Sequence, residues 1–237
     1  MPIYRIADLN VEVNPKFKIC RKRLESYAVK SNESGKTDIA ISVSDDEIRE
    51  RLRLSDNLSE PGAEDVLILS KFCNAVLDGF DGFFFHSSCL ELDGEGYVFS
   101  AVSGTGKSTH TALWRRHFGN RVTMINDDKP VIRKCDGKFY VYGTPWRGKA
   151  DIGTNTKAHV KAVYILQRAE ENTAVRVLPS QVMKQLLEAT VIDVERSRME
   201  KLLELLDEFF KETPLFLLGC NMDESAVMTA YNAANGG

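Results

Sequence analysis

The sequence has 237 residues, 43% of them apolar and 27% charged, with a formal net charge of −3. This composition is typical of a soluble globular protein with one large α/β domain and at most a modest attached module. The weak negative charge argues against nucleic-acid and membrane surfaces, and no apolar run approaches the ~20 residues that span a bilayer. Residues 1–10 lack a continuous apolar core, so we expect no secretory signal and a cytoplasmic protein.

The cysteines and histidines do not predict a metal site. Five cysteines are scattered without a close pair, which favours reduced thiols that pack as small apolar side chains. His110 and His117 are separated by two turns of a predicted helix, too far apart to share a metal ion.

The first sixty residues predict short elements followed by a linker. Alternating apolar residues predict a strand at 3–13, and a second short strand is expected at 39–43. Ser44 and Asp45 are candidate caps for a charged helix that begins near Asp46. Residues 31–36 are expected to form a loop, and the stretch 55–62, which ends in Pro-Gly, a linker. We therefore expect residues 1–60 to be an N-terminal extension or a small α/β module.

A helix is predicted at 65–77, followed by an antiparallel pair of strands at 83–92 and 97–102. The short turn between these strands, 93–96, predicts a register in which paired positions sum to 189. His86 would then lie opposite Ser103. A single histidine after three phenylalanines is usually a core residue, but this position favours a functional histidine that contacts a phosphate or tunes a base.

The second of these strands leads into a glycine-rich loop and then a helix at about 108–118. The loop consists of Ser103, Gly104, Thr105, Gly106, Lys107, Ser108 and Thr109. Glycines allow backbone amides to surround an anion, and the start of the helix adds a favourable dipole. Lys107 would neutralise β- and γ-phosphates, and the Ser108 hydroxyl would ligate Mg²⁺. Ala101 stands where the usual pattern has its first glycine. The loop predicts a site for the phosphates of ATP.

A carboxylate pair ends the next predicted strand, at 122–125. Asp127 and Asp128 come where phosphoryl transfer requires a carboxylate that faces the metal. One carboxylate can hold Mg²⁺ while the other accepts a proton from an attacking hydroxyl. A charged turn before Pro130 is the alternative interpretation.

The remaining chain predicts further strands and two regions of helix. Asp136-Gly137 is a strong signal for a two-residue hairpin between 131–135 and 138–142. Strands are expected at 160–167, 175–178 and 214–218, and helices within 180–211 and at 223–234.

The antiparallel strand beside the loop strand, together with these motifs, resembles the catalytic domain of HPr kinase/phosphorylase and, more distantly, ATP-dependent phosphoenolpyruvate carboxykinase. The shared residues are His86, the 103–108 loop and the Asp127-Asp128 pair. The resemblance implies a mixed α/β sheet with a P-loop and C-terminal helices, and an ATP-binding catalytic domain at 61–237. It also implies His86 and Lys107 as catalytic, Ser108 and Asp127 as Mg²⁺ ligands, and Asp128 as the base.

One segment departs from the HPr kinase pattern, which has a magnesium-binding glutamate after the Asp pair. Here residues 142–149 contain no glutamate and look like those of small HPr-kinase-like proteins found with peptide-modifying gene sets. Trp146, Arg147 and Lys149 could cover a nucleotide or bind a phosphorylated product, or could form a solvated basic turn around a packed indole.

The sequence therefore leads to an ATP- and Mg²⁺-dependent kinase as the first hypothesis. Its acceptor would be a hydroxyl, of serine in a peptide or protein, or of a small molecule, with no nucleic-acid or membrane partner and with an oligomer possible. Two alternatives remain open: a nucleotide-binding switch or accessory protein without transfer activity, and a phosphorylase that acts in reverse with inorganic phosphate.

Overall fold

A computed structural model describes residues 1–30, 35–190 and 196–236. Its strands are β1 Ile3–Ile6, β2 Leu9–Val13, β3 Ile39–Ile41, β4 Gly82–Phe84, β5 Ser88–Leu92, β6 Glu95–Ser100, β7 Val122–Asn126, β8 Val131–Cys135, β9 Lys138–Tyr142, β10 Lys157–Arg168, β11 Thr173–Arg176 and β12 Leu215–Cys220. Its helices are α1 Lys18–Leu24, α2 Asp45–Arg53, α3 Glu60–Gly79, α4 Lys107–Phe118, α5 Met183–Thr190, α6 Arg196–Glu212 and α7 Ser225–Asn235. The predicted mixed α/β class is confirmed.

The larger sheet is mixed and has the order β4-β8-β9-β10-β6-β5-β7, with β12 also paired to β10 and β11 to β12. β6, β10 and β12 are parallel. β5 is antiparallel to both β6 and β7, so β6 and β7 run in the same direction with β5 between them. The carboxyl ends of β12, β10, β6 and β7 therefore share one edge of the sheet.

The N-terminal strands form a small sheet, in which β2 pairs with β1 antiparallel and with β3 parallel. A single apolar cluster joins this sheet to α3 and to the β8–β9 hairpin. Ile6, Val11, Phe72, Val131 and Trp146 are among its buried members. The division of the chain at residue 60 stays a prediction.

The predicted strand at 3–13 is wrong, because the segment is a hairpin of β1 and β2. Ala7 and Asp8 both have positive φ, 52° and 61°, as the two central residues of a type I′ turn require. Because neither residue is glycine, the sequence carries no turn signal here, and the apolar residues on both sides of the turn favour one continuous strand. The segment after β2 contains α1, a helix that was not predicted.

The predicted strand at 83–92 is also wrong, because it is divided into β4 and β5 by residues 85–87. β4 pairs with β8, whereas β5 pairs with β6 and β7. The turn between β5 and β6 consists of Asp93 and Gly94, with φ of 54° and 87°. Leu92 therefore pairs with Glu95, and paired positions sum to 187 instead of 189.

The predicted linker at 55–62 extends too far. α3 begins at Glu60, and the Ser59 hydroxyl accepts a hydrogen bond from the Gly62 amide at 3.3 Å. Pro61 fits this first turn because a proline there loses no helical hydrogen bond. Pro-Gly thus starts a helix here.

The other predicted elements match to within a few residues. Ser44 caps α2 through a capping box with Glu47. The hairpin of β8 and β9 turns at Asp136-Gly137 as predicted, with φ of 50° and 75°. The loop expected at 31–36 lies largely outside the described residues, as does the segment 191–195 between α5 and α6. None of the described helices is long and apolar enough to cross a membrane.

Candidate functional site

The glycine-rich loop connects the carboxyl end of β6 to the first residue of α4, which is Lys107. Gly104 and Gly106 have φ of 81° and 126°, which L-residues with a Cβ rarely adopt. Ala101 does not have a positive φ, so the loop does not need glycine at that position. Gly106 is the N-cap of α4, and no described side chain caps this helix end. The first amides of α4 are therefore available to an anion.

Lys107 lies half-buried at the base of the loop. Its Nζ donates a hydrogen bond to the carbonyl of Ala101 at 3.1 Å. Burial lowers the pKa of Lys107, the nearby Asp128 carboxylate raises it, and Lys129 lowers it further. The structure thus places the loop lysine within the electrostatic influence of Asp128.

Asn126 organises the turn that carries the two carboxylates. Its buried Oδ1 accepts hydrogen bonds from the amides of Asp128 at 2.8 Å and Lys129 at 2.7 Å. Its Nδ2 donates to the carbonyl of Thr144 at 3.1 Å and contacts the Thr144 hydroxyl at 3.2 Å. The amide side chain thereby fixes the backbone just after β7, at the edge shared with the loop.

Both carboxylate oxygens of Asp128 have a hydrogen-bonding partner. Nε2 of His86 lies 3.0 Å from Oδ1, and Nζ of Lys129 donates to Oδ2. Burial alone would raise the pKa of Asp128, but the hydrogen bonds from His86 and Lys129 outweigh it and lower the pKa to about 2. Asp128 is therefore ionised across the physiological pH range.

His86 occupies the break between β4 and β5. Its amide donates to the carbonyl of Ala189 at 2.7 Å, and its own carbonyl accepts from the Ser100 hydroxyl at 2.9 Å. The predicted pairing opposite Ser103 is wrong because β5 begins only at Ser88. Nevertheless His86 and Ser103 line the same cavity of about 230 Å³.

Asp127 is buried beside the segment that follows β9. Its Oδ1 accepts a hydrogen bond from the Gly148 amide at 2.7 Å. Trp146, in this segment, is 2% exposed and stacks on Phe72 with ring centroids 5.6 Å apart. The indole is therefore a packed residue and does not cover a nucleotide.

The donor set beside the loop is compatible with Mg²⁺. The described residues contain no group of three or more histidine, cysteine or acidic side chains arranged to hold a metal. Mg²⁺ does not need one, since it keeps several waters and is usually held by one or two carboxylates together with substrate phosphates. The Ser108 hydroxyl and the Asp127 carboxylate supply the oxygen ligands that this ion prefers. The predicted roles of Ser108, Thr109 and the rest of the loop stay predictions.

Several residues of this site were missed by the sequence analysis. Lys129 pairs with Asp128, Gly148 binds Asp127, and Arg168 donates through Nη2 to the carbonyl of Gly104 at 2.7 Å. Asn126 and Lys129 flank the acidic pair and could have been suspected from that position. Gly148 lies in the 142–149 segment that the sequence analysis singled out, but its contact with Asp127 was not predicted. Arg168 reaches the loop through the pairing of β10 with β6, which no local pattern gives.

No known family model and no curated protein sequence matches this chain. Among solved structures, the chain is similar to the Hpr(Ser) kinase/phosphatase from Coxiella burnetii, with 12% sequence identity and a TM-score of 0.37. The match covers 65% of this chain and 93% of that one. A likeness at this level establishes neither a family nor an activity.

Proposed function

We propose that the protein is an ATP-dependent kinase that transfers the γ-phosphoryl group to a hydroxyl of a peptide, a protein or a small molecule. One observation carries the proposal: the loop with Lys107 at the start of α4 lies beside the half-buried His86–Asp128 pair. The loop suits a polyphosphate, and the pair suits proton transfer. ATP is a substrate in this scheme.

Asp128 would accept the proton of the acceptor hydroxyl. The hydroxyl oxygen forms a bond to the γ-phosphorus as the bond to the β–γ bridging oxygen breaks and ADP leaves. Because the transition state of phosphoryl transfer is loose, the proton can move late, and a weakly basic carboxylate is sufficient. His86 would orient Asp128, and each carboxylate oxygen, which accepts one hydrogen bond, keeps a lone pair for the acceptor hydroxyl.

Lys107 and the loop amides would hold the phosphates and offset negative charge that develops on them. Ser108 and Asp127 would hold Mg²⁺, which when bound shields the β- and γ-phosphates. The hydrogen bond from Gly148 would fix the orientation of Asp127.

The second candidate is a nucleotide-binding switch without transfer activity. The hydrogen bonds from His86 and Lys129 favour it, because they lower the pKa of Asp128 to about 2, and such a carboxylate is a poor proton acceptor. In this case the loop would bind ATP, and the His86–Asp128 pair would serve only to connect the break between β4 and β5 with the turn after β7.

Phosphorus NMR separates these functions. Mg-ATP is incubated with the protein and a soluble extract of its source cell, beside the Asp128→Asn variant. ADP and a new phosphate-ester signal that are lost with the variant support the kinase. Pyrophosphate formed from a phosphorylated acceptor and inorganic phosphate would indicate the reverse reaction. Unchanged ATP, together with ATP binding by calorimetry, would contradict the kinase and support the switch.

A further inference from the structure

A second cavity, of about 600 Å³, lies against the outer side of the phosphate loop. Its walls come from the loop and the start of α4, from the end of β10 and from the segment after β12. Gly104, His110, Arg168, Ala169, Cys220 and Met222 are among its lining residues. The volume is that of a typical small-molecule site.

The sheet order places this cavity on the opposite side of the loop from the carboxylates. β10 and β12 lie on one side of β6, whereas β5 and β7, which lead to His86 and Asp128, lie on the other. A molecule bound along the loop would therefore have one end at the His86–Asp128 pair and the other end in this cavity.

The cavity carries little charge, unlike the opposite side of the loop. Arg168 is the one charged residue among the described residues that line it. His110 is buried, its Nε2 accepts a hydrogen bond from the Trp114 indole at 3.0 Å, and burial lowers its pKa to about 4. Burial also raises the pKa of Cys220. Both side chains are neutral at physiological pH, so this wall suits an uncharged group better than a phosphate.

Two side chains at the cavity are suited to a flat ring. The guanidinium of Arg168 is held on the loop by its bond to the Gly104 carbonyl, and a guanidinium plane stacks well on aromatic rings. Met222 is 77% exposed, and its thioether would be covered by a bound ring.

We infer that this cavity holds the nucleoside of the triphosphate, with the base between Arg168 and Met222 and the phosphates extending over the loop toward Lys107. The inference rests on the proposed function. The carboxyl ends of β10 and β12 would then recognise the nucleoside, and the smaller cavity beside His86 would bind the acceptor.

The test compares two ligands that share the phosphates and differ in the nucleoside. Binding of Mg-ATP and of inorganic Mg-tripolyphosphate is measured by calorimetry for the wild type and for Ala169→Trp, which fills the cavity from the end of β10. Cys220→Phe fills it from the end of β12. The matched control is Leu178→Trp, which adds an indole at a position 68% exposed and outside the cavity.

We expect each filled variant to bind Mg-ATP at least about tenfold more weakly, with affinity for tripolyphosphate unchanged within about twofold. Retained tripolyphosphate binding also shows that the variant is folded. The inference is overturned if both variants keep their ATP affinity, or if both lose the two ligands equally.

Together with the phosphorus NMR assay for transfer, the same binding experiment separates this inference from the proposed function. A wild-type protein that binds ATP through the cavity but transfers no phosphate contradicts the kinase and leaves the nucleoside site standing. A wild-type protein that binds neither ligand overturns both.

Discussion

Nε2 of His86 lies 3.0 Å from Oδ1 of Asp128, and this contact joins two segments that are distant in the sequence. His86 can make this contact because it lies in the irregular segment between β4 and β5. Asp128 can make it because Asn126 fixes the turn after β7. The contact lies beside the glycine-rich loop at 103–109. Its chemistry can be tested separately from nucleotide binding.

Asp128→Asn should separate binding from transfer. The substitution keeps the shape of the side chain but removes the negative charge that is proposed to accept the proton. We expect nucleotide affinity within about threefold of the wild type, and phosphoryl transfer reduced by about 100-fold or more. Calorimetry and an ADP-release assay measure the two quantities.

Asp136→Asn is the matched control, because Asp136 is exposed in the β8–β9 turn, where asparagine is equally suited. It should leave both quantities unchanged. If Asp128→Asn weakened binding as much as transfer, Asp128 would not be the base.

Lys107→Ala should weaken binding and transfer together. The lysine is proposed to contact phosphates in the ground state as well as in the transition state, so its loss removes a charge-assisted bond from both. We expect the Kd for Mg-ATP to rise about 10- to 100-fold. Lys138→Ala, at an exposed position on β9, is the control. Unchanged ATP affinity in Lys107→Ala would contradict a phosphate site at this loop.

Local signals predicted the parts of the fold that depend on neighbouring residues. The Asp136-Gly137 turn and the Ser44 cap of α2 were found because their chemistry lies within four residues of sequence. The strand before the loop and the helix after it were found in the same way. These two elements place Lys107 correctly at the start of a helix.

Long-range hydrogen bonds decide the features that the sequence did not reveal. The break at His86 is held by the carbonyl of Ala189, and the neighbouring Phe85 amide donates to the carbonyl of Pro130 at 3.2 Å. Nothing in the sequence of residues 83–92 shows that its first residues pair with β8 and its last residues with β6 and β7. For the same reason, Arg168 could not be connected with the loop before the β10–β6 pairing was known.

Asn126→Ala should destabilise the fold and impair transfer. The buried amide satisfies the backbone of Asp128, Lys129 and Thr144, and its removal leaves these groups unpaired. We expect a loss of roughly 2–4 kcal/mol in the free energy of unfolding, measured by urea denaturation. Asn120→Ala, at an exposed position, should cost less than about 0.5 kcal/mol. Similar stabilities of the two variants would argue against an organising role for Asn126.

The hydrogen bonds of Asp128 also predict how stability depends on pH. Its pKa in the folded protein, about 2, lies below its ordinary value of 3.8. The bonds from His86 and Lys129 therefore stabilise the fold fully above about pH 4, and this contribution is lost as the pH falls from about 4 to about 2. The whole contribution is about 2 kcal/mol, and about half of it should be lost by pH 3. Urea denaturation of the wild type and of Asp128→Asn between pH 5.5 and 3 measures it. The difference in unfolding free energy between the two proteins should shrink by about 1 kcal/mol over this range. A constant difference would show that the pKa of Asp128 is not lowered in solution and that the contacts with His86 and Lys129 do not stabilise its carboxylate.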